Sequence, residues 1–360
     1  MSRFAFLFLC LVWMTLNADA QNDPTQKKLK RPLAELPFTQ AKAVGINPDS
    51  IQHLVSLIGS TPPRDFRGLV VLKDGKLVVE EYFNSYWRET IHDIRSTGKS
   101  VTALLVGIAL DKGLLKSEEQ SLSEFFPQAK ALQADIRIKH LLMMSSGLAA
   151  DDADPDSPGN SAKWLTEPNW VGFALSLPTA FKPGEKFVYN DVCPMLVGAI
   201  IEQASGRKLA EFAREYLFTP LGIREAYWYT GLSGRTAPMG NLYLSTLDLA
   251  KIGQLMLNKG SWHGQQLISS TWIDRMGQKQ FALSDRYATG YGYYWYRSSV
   301  VIGRTTHDYL FASGNGGNLL FVVPQANLVV SLTASAYGQG YGHQRSQNIF
   351  KMILKAIMDS

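Results

Sequence analysis

Short blocks of apolar residues that favour β-strands lie towards both ends of the chain. Two of them, 69–73 and 76–83, flank Asp74-Gly75, and this combination predicts a β-hairpin. Three more lie far downstream, at 291–296, 319–323 and 328–332. An isolated hairpin has too few strands to be stable. We therefore expect both groups to join in one antiparallel sheet, rather than to form two sequential domains.

Two further segments have helical patterns. Residues 101–110 are apolar nearly all round, which indicates a buried helix, and Asp111-Lys112-Gly113 supply its C-terminal stop. Near the C-terminus an apolar stripe predicts an amphipathic helix and consists of Ile349, Phe350, Ile353, Leu354 and Ile357. Between the β-rich regions the chain is mainly helical and rich in loops. The pattern predicts an α+β fold, with a sheet built from both chain ends, flanked by helices, and a large helical insertion.

This architecture predicts where the domains begin and end. The sheet domain comprises residues 45–113 and 287–360, and the helical insertion comprises 114–286. A charged start, an apolar run over 4–16 that is too short to span a bilayer, and Ala18-Asp19-Ala20 are typical of a signal peptide cleaved after Ala20. The alternative is a buried N-terminal helix. We expect a signal peptide over 1–20, a flexible leader over 21–44, and a periplasmic or secreted protein.

The charge is mildly basic, with 36 Lys and Arg against 31 Asp and Glu. Part of the excess lies in the leader, which we expect to be a solvated arm; weak contact with an anionic envelope surface is the alternative. No nucleic-acid-binding motif accompanies it, so no nucleic-acid partner is predicted. Cys10 leaves with the signal peptide, and Cys193 then has no disulfide partner. No transmembrane segment is expected after the signal peptide is removed.

Ser96 and Lys99 stand at the head of the predicted buried helix. Positions i and i+3 share a helix face, so Lys99 can reach the Ser96 hydroxyl and help to activate it. Free backbone N–H groups at the helix start would stabilise an oxyanion there and disfavour a protonated amine at Lys99. A phosphate loop is excluded, because the pattern requires glycine where the chain has Asp93.

Two later segments supply further candidate groups. Tyr189 lies where a loop enters a helix, and a phenol beside an ammonium can exchange a proton with serine. The alternative is an ordinary half-buried aromatic residue. Small residues at 312–317, just before a predicted strand, would let a substrate backbone lie along an edge strand, with the Asn315 N–H as a second oxyanion donor. A glycine-rich turn explains that segment equally well.

Taken together, Ser96-x-x-Lys99, Tyr189-Asn190-Asp191 and Ala312-Ser313-Gly314 resemble the S-x-x-K, Y-x-N and K-T-G elements of the serine β-lactamase and penicillin-recognising superfamily. The likeness is to its class C branch, which includes D-Ala-D-Ala carboxypeptidases, esterases and 6-aminohexanoate-dimer hydrolases. The resemblance implies a β-lactamase/transpeptidase-like fold and an acyl-enzyme on Ser96. It further implies that Lys99 and Tyr189 share the general base and acid roles, and that the Ser96 and Asn315 N–H groups form the oxyanion hole. The implied substrate-binding residues are Asp191, Ala312, Ser313 and Gly314.

Two positions depart from these elements. Asp191 stands where the family usually has Asn, and Ala312 stands where it has Lys or His, a cation that helps to hold a substrate carboxylate. We expect Asp191 to pair with Lys99, hold it protonated and shift the base role to Tyr189. The sequence therefore predicts an exported serine hydrolase that cleaves a small ester or amide. The alternatives are a true β-lactamase or D-Ala-D-Ala carboxypeptidase, and a non-catalytic receptor or scaffold.

Other hydrolytic chemistries lack their signatures. The sequence contains no G-x-S-x-G, no H-E-x-x-H and no Cys/His cluster. The acidic run Asp151, Asp152, Asp154 and Asp156 resembles a calcium loop, but its sixth position is Ser157 and its twelfth Lys163. We expect a mobile, solvated loop, and neither a metal nor another cofactor.

Overall fold

The computed structural model describes residues 36–129, 131–232 and 234–358. The α-helices are α1 (Pro48–Ser60), α2 (Thr97–Asp111), α3 (Leu122–Phe125), α4 (Ala131–Ala134), α5 (Ile138–Leu142), α6 (Ser161–Trp164), α7 (Trp170–Ser176), α8 (Val192–Ser205), α9 (Leu209–Ala213), α10 (Thr246–Leu257), α11 (Ser270–Met276) and α12 (Gly340–Met358). The strands are β1 (Phe66–Lys73), β2 (Lys76–Tyr82), β3 (His92–Asp93), β4 (Tyr227–Trp228), β5 (Leu242–Leu244), β6 (Ser261–Trp262), β7 (Gln265–Gln266), β8 (Phe281–Ala282), β9 (Gly290–Gly292), β10 (Trp295–Ile302), β11 (Thr305–Gly314), β12 (Asn318–Val323) and β13 (Leu328–Ala334).

One antiparallel sheet of eight strands, in the order β2-β1-β13-β12-β11-β10-β9-β8, is the frame of the molecule. The hairpin between β1 and β2 turns at Asp74 and Gly75, whose φ angles are 53° and 73°. A two-residue turn that matches the twist of the strands requires this left-handed backbone. Strand β13 pairs with β1, with Val330 opposite Val71, so the two chain ends share one sheet. The predicted α+β fold is confirmed.

Neighbouring side chains along a strand point to opposite sides of the sheet. In the central strands both sets of side chains are buried. Leu69 and Val71 face one side, where α1 and α12 cover the sheet. On that side the rings of Phe321 and Phe350 stack with centroids 3.9 Å apart. Val70 and Leu72 face the other side, where α2 and α10 pack. The predicted apolar stripe of the terminal helix is entirely buried.

The structure corrects the predicted position of the 312–314 segment. It was expected on an edge strand, but it ends β11, which lies between β10 and β12 inside the sheet. The pairing with β10 stops at Phe311, opposite Tyr296. Ala312, Ser313 and Gly314 pair only with β12. On the side that faces β10, the last three residues of this interior strand therefore have no strand partner among the described residues.

The structure describes the N-terminal part of the chain from residue 36 onward. The predicted signal peptide and leader residues 21–35 lie outside the described residues. Residues 36–44, predicted as the end of the flexible leader, are instead held against the sheet. The Leu77 N–H donates to the carbonyl of Pro37 at 2.8 Å, and the Thr39 N–H donates to the carbonyl of Leu77 at 2.9 Å. A 3-10 helix, Ala41–Val44, follows.

The described part of the chain from Leu36 onward forms one compact unit. The division into a sheet domain and a helical insertion stays a prediction. A small second sheet, β3-β5-β4, pairs His92 with Leu244. It joins the segment that leads into α2 to the predicted insertion. No helix of the described residues is long and apolar enough to cross a membrane.

Phe350→Ala should destabilise the fold by about 3–5 kcal/mol, because it removes a fully buried ring and leaves a cavity against Phe321. Chemical denaturation followed by circular dichroism measures the free energy of unfolding. Met352→Ala is the control, since its side chain on the same helix is 42% exposed and its loss should cost far less. Equal effects of the two substitutions would contradict this account of the core.

Candidate active site

Ser96 is held at the end of a sharply bent segment. The Ile94 N–H donates to the carbonyl of Leu242 at 3.0 Å, and Arg95 follows with a φ of 53°, an unusual backbone for a non-glycine residue. The Asp93 carboxylate accepts the Arg95 N–H at 2.8 Å and so supports the bend. Ser96 then directly precedes α2, partly exposed.

Lys99 lies beneath Ser96 and is 2% exposed. Its Nζ donates to the Ser96 Oγ at 2.9 Å and to the carbonyl of Met239 at 2.6 Å. It also forms an ion pair with the Asp191 carboxylate at 2.7 Å. An ammonium has three protons to donate, and all three of these partners accept from it. In this state Lys99 is a donor to Ser96 and cannot accept its proton.

Opposing effects act on the pKa of Lys99. Burial alone would lower this pKa, but the Asp191 carboxylate, with a smaller contribution from Tyr189, raises it well above its usual value. The Asp191 carboxylate therefore outweighs the effect of the helix start, in line with the expectation that Asp191 holds Lys99 protonated. The positive end of a helix contributes about 0.3–1 kcal/mol, whereas a carboxylate in direct contact with a buried ammonium acts far more strongly.

Tyr189 is anchored by its backbone beside Lys99. The neighbouring Val188 N–H donates to the carbonyl of Met144 at 2.8 Å, and the Asp152 N–H donates to the carbonyl of Tyr189 at 3.1 Å. The Lys99 Nζ lies 5.0 Å from the centre of the Tyr189 ring. The structure thus brings the phenol and the ammonium together.

The start of α8 explains why the Asp191 carboxylate can reach Lys99. Asp191 occupies the N-cap position, but its side chain makes no capping hydrogen bond. The Asn190 Oδ1 accepts the Cys193 N–H at 2.8 Å instead. Asn190 satisfies the helix end, and Asp191 is left to pair with Lys99.

The end of β11 approaches the same place. A Cβ on Gly314 would lie 2.1 Å from the carbonyl oxygen of Ile94, so only glycine allows this approach to the segment before Ser96. Asn315 follows in an exposed turn, where its Oδ1 accepts the Gly338 N–H at 2.8 Å. The contribution of the Asn315 N–H to an oxyanion hole stays a prediction.

The other two residues of this segment differ in exposure. The Ser313 Oγ lies 3.3 Å from the Nδ1 of His343. His343 belongs to α12, and no sequence motif marks it as a site residue. Ala312 is fully buried among apolar residues of the core, and its methyl side chain carries no charge. The site therefore has no cation at position 312.

The acidic run is solvated only in part: Asp154 and Asp156 are exposed, as expected, but Asp151 and Asp152 are partly buried. The Asp151 N–H donates to the Ser157 Oγ at 2.9 Å, and the Asp152 Oδ1 accepts the Ser161 N–H at 2.9 Å. Burial, followed by the nearby Asp191 carboxylate, raises the pKa of Asp152 to about 7. Asp152 is therefore a second carboxyl group of the site. Within the described ranges no three His, Cys, Asp or Glu side chains are arranged to hold a metal ion.

A cavity of about 430 Å³ opens beside Tyr189 and Ser313. Its walls come from the loop before α8, the β8–β9 connection, β10, β11 and α12. The residues of the β8–β9 connection and of α12 carry no motif, which is why sequence reasoning did not find this cavity.

Most of the chain is similar to one protein family. Residues 64–351 match the family model described as Beta-lactamase. The 6-aminohexanoate-dimer hydrolase of Paenarthrobacter ureafaciens is 24% identical over 231 residues, which cover 60% of this chain and 58% of that protein. The chain therefore spans less than two thirds of the length of this curated relative.

Solved structures share the fold. A penicillin-binding protein homologue from Caulobacter crescentus has a TM-score of 0.69 at 18% identity, covering 87% of this chain and 99% of that one. A family VIII carboxylesterase has a TM-score of 0.67 at 17% identity, covering 85% and 98%. These likenesses show a common architecture.

Asp152→Asn should stabilise the protein above neutral pH. The pKa of Asp152 is about 7 in the folded protein against 3.8 ordinarily, so the folded state keeps a proton that the unfolded state releases between these values. The contribution of Asp152 to stability is therefore present at low pH and is lost as pH rises to about 7. Asparagine retains the oxygen that accepts the Ser161 N–H. We expect the gain in Tm over wild type to be larger at pH 8 than at pH 4.5, measured by scanning calorimetry.

Asp156→Asn is the matched control, because Asp156 lies exposed in the same run. Its difference in Tm from wild type should change little between the two pH values. A gain for Asp152→Asn that is equal at both pH values would show that this carboxyl group titrates normally.

Proposed function

The chain belongs to the Beta-lactamase family, and on that premise we propose that it is a serine hydrolase that cleaves a small ester or amide through an acyl-enzyme on Ser96. One observation carries the proposal: the buried Lys99 ammonium joins the Ser96 hydroxyl to the Asp191 carboxylate. The names of similar proteins, an amide hydrolase and a carboxylesterase, support the same reaction class.

The reaction begins when the Ser96 Oγ bonds to the carbonyl carbon of the substrate. The Tyr189 hydroxyl takes up the proton of Ser96 and passes its own proton to the leaving oxygen or nitrogen. Lys99 keeps its protons and fixes the position of Oγ. The N–H groups of Ser96 and Asn315 hold the carbonyl oxygen as it becomes negative. The leaving group departs with one proton and the acyl group stays on Ser96.

A water molecule completes the cycle. It attacks the acyl carbonyl, and its proton returns through Tyr189 to the Ser96 Oγ as the ester bond to the enzyme breaks. The products are a carboxylic acid and the regenerated serine. Protons and charges balance without a change in the charge of Lys99.

We expect the substrate to be an ester or amide that carries no negative charge, rather than a carboxylate-bearing β-lactam or D-Ala-D-Ala peptide. Ala312 supplies no cation, and Asp191 adds a negative charge close to the acyl site. Because Asp191 neutralises the Lys99 ammonium at 2.7 Å, that ammonium cannot offset the negative charge of a substrate carboxylate. Both departures from the family pattern therefore disfavour an anionic substrate.

Export of this hydrolase is part of the proposal. The signal-peptide pattern that ends at Ala20 supports it, with a mature chain that begins at Gln21 and acts in the periplasm or outside the cell. Mass spectrometry of protein purified from cell fractions tests this, because the mature N-terminus identifies the cleavage site.

Ser96→Ala should lower the turnover of short-chain aryl esters by on the order of 10³-fold or more, since the nucleophile acts as one unit with Lys99 and Tyr189. Hydrolysis of 4-nitrophenyl butyrate measures this. A fluorophosphonate probe should add covalently to wild type, and peptide mass spectrometry should locate the adduct at Ser96.

Ser176→Ala is the control, since Ser176 is exposed on α7 and its hydroxyl donates to the carbonyl of Phe173. It should keep full activity and full labelling. A folded wild-type protein with no adduct and no turnover would favour a non-catalytic receptor, and unchanged activity in Ser96→Ala would exclude the mechanism.

Wild type should have a higher kcat/KM for 4-nitrophenyl butyrate than for a chromogenic cephalosporin, because the cephalosporin carries a carboxylate. Asp191→Asn removes the negative charge at nearly constant shape and should narrow the ratio between the two substrates. Steady-state kinetics on both substrates gives the ratio.

Asp156→Asn changes the total charge equally and should leave the ratio as in wild type. A cephalosporin turned over faster than the ester would mean that another cation replaces the one missing at Ala312. An unaltered ratio in Asp191→Asn would mean that this carboxylate does not face the substrate.

A further inference from the structure

The cavity beside Tyr189 and Ser313 is rich in aromatic side chains. Five of the residues that line it carry aromatic rings other than imidazole: Phe187, Tyr189, Tyr287, Tyr296 and Phe311. Tyr296 and Phe311 stack with their centroids 5.1 Å apart, which makes one wall rigid. The faces of such rings carry partial negative charge and attract cations.

A carboxylate stands at the same cavity. Among the lining residues that the structure describes, Asp285 is the one with a formal charge at neutral pH. Its Oδ1 accepts the Tyr287 N–H at 2.7 Å, which orients the carboxylate. The next residue, Arg286, does not line the cavity, and its guanidinium lies over the Tyr287 ring at 4.9 Å.

The two cations of the segment around Ser96 are paired with carboxylates. Lys99 pairs with Asp191, and Arg95 pairs with Asp93 at 3.1 Å. His343 also lines the cavity, but burial, opposed in part by Asp285, lowers its pKa and leaves it neutral at pH 7. The residues that line the cavity therefore present aromatic rings and one carboxylate.

We propose that this cavity binds an ammonium group of the substrate, and that Asp285 and the aromatic rings select it. The proposal rests on the proposed function, because the ammonium must belong to a molecule whose ester or amide bond reaches Ser96. The ammonium can be carried on the acyl side or on the leaving side of that bond. A volume of about 430 Å³ accommodates a trimethylammonium group with a short chain.

Two pairs of esters test the proposal, each pair matched in shape and different in charge. The leaving-side pair is acetylthiocholine and S-(3,3-dimethylbutyl) thioacetate. The acyl-side pair is the 4-nitrophenyl esters of 4-(trimethylammonio)butanoate and 5,5-dimethylhexanoate. In thioester hydrolysis the C–S bond breaks as the acyl group passes to Ser96 and then to water, and the thiol leaves with one proton. Cys193 is buried, so it does not disturb thiol detection.

In wild type the charged member of at least one pair should have a kcat/KM about tenfold higher than its neutral isostere. The pair that shows the preference identifies the side of the bond that carries the ammonium. Asp285→Asn should reduce the preference severalfold. Asp308→Asn, an exposed position on β11 outside this cavity, should leave it unchanged.

A second readout separates this proposal from the proposed function. Ser96→Ala should bind choline in isothermal titration calorimetry, and Ser96→Ala combined with Asp285→Asn should bind it more weakly. Ester turnover without charge preference in either pair, or a preference unaltered by Asp285→Asn, would overturn the ammonium site alone. Choline binding that depends on Asp285, in a protein that hydrolyses no ester, would overturn the proposed function alone.

Discussion

The rest of the site depends on one requirement, that the buried ammonium of Lys99 be fully compensated. Removing a charge from water costs several kcal/mol unless it is paired and its hydrogen bonds are satisfied. Lys99 meets this condition only when three separate segments converge: the start of α2, the loop before α8 and the segment that contains Met239. The small β3-β5-β4 sheet, which joins the first and third of these segments, therefore serves the site as well as the fold.

Much of this fold could be predicted, because its decisive signals are local. The hairpin follows from Asp74-Gly75 between two apolar blocks, and the terminal helix follows from its stripe of apolar residues. Strand β11 was largely missed, since its outer half, from Thr305 to Asp308, is polar and mostly exposed. Only the inner half, which includes Phe311, is buried between neighbouring strands. Its interior place in the sheet depends on long-range pairing, which no window of sequence contains.

The candidate site, like the fold, could be predicted only in part. Ser96 and Lys99 are one helical turn apart, so their contact follows from helix geometry. Asp152 and His343 reach the site through a loop and through the first turns of α12, and their sequence neighbours give no sign of it. The protonation of Lys99 depended on the balance between a helix end and a carboxylate. Both the helix end and the carboxylate could be predicted from the sequence. The 2.7 Å contact between Lys99 and Asp191 determines that the carboxylate has the larger effect.

Asp191 also changes the charge that a substrate meets. A neutral amide at this position would leave the Lys99 ammonium as a net positive charge, which suits an anionic substrate. With a carboxylate there, Lys99 and Asp191 together are neutral. The cluster that they form with Asp152 is also neutral as long as Asp152 keeps its proton. Asp152 loses that proton near pH 7, and the cluster then becomes net negative. Asp285 adds a further negative charge at the neighbouring cavity. Ala312 supplies no compensating cation, and under the proposed function each of these features would favour a neutral or cationic substrate over an anionic one. The departures at Asp191 and Ala312 thus act in the same direction on the charge around Ser96 and Lys99.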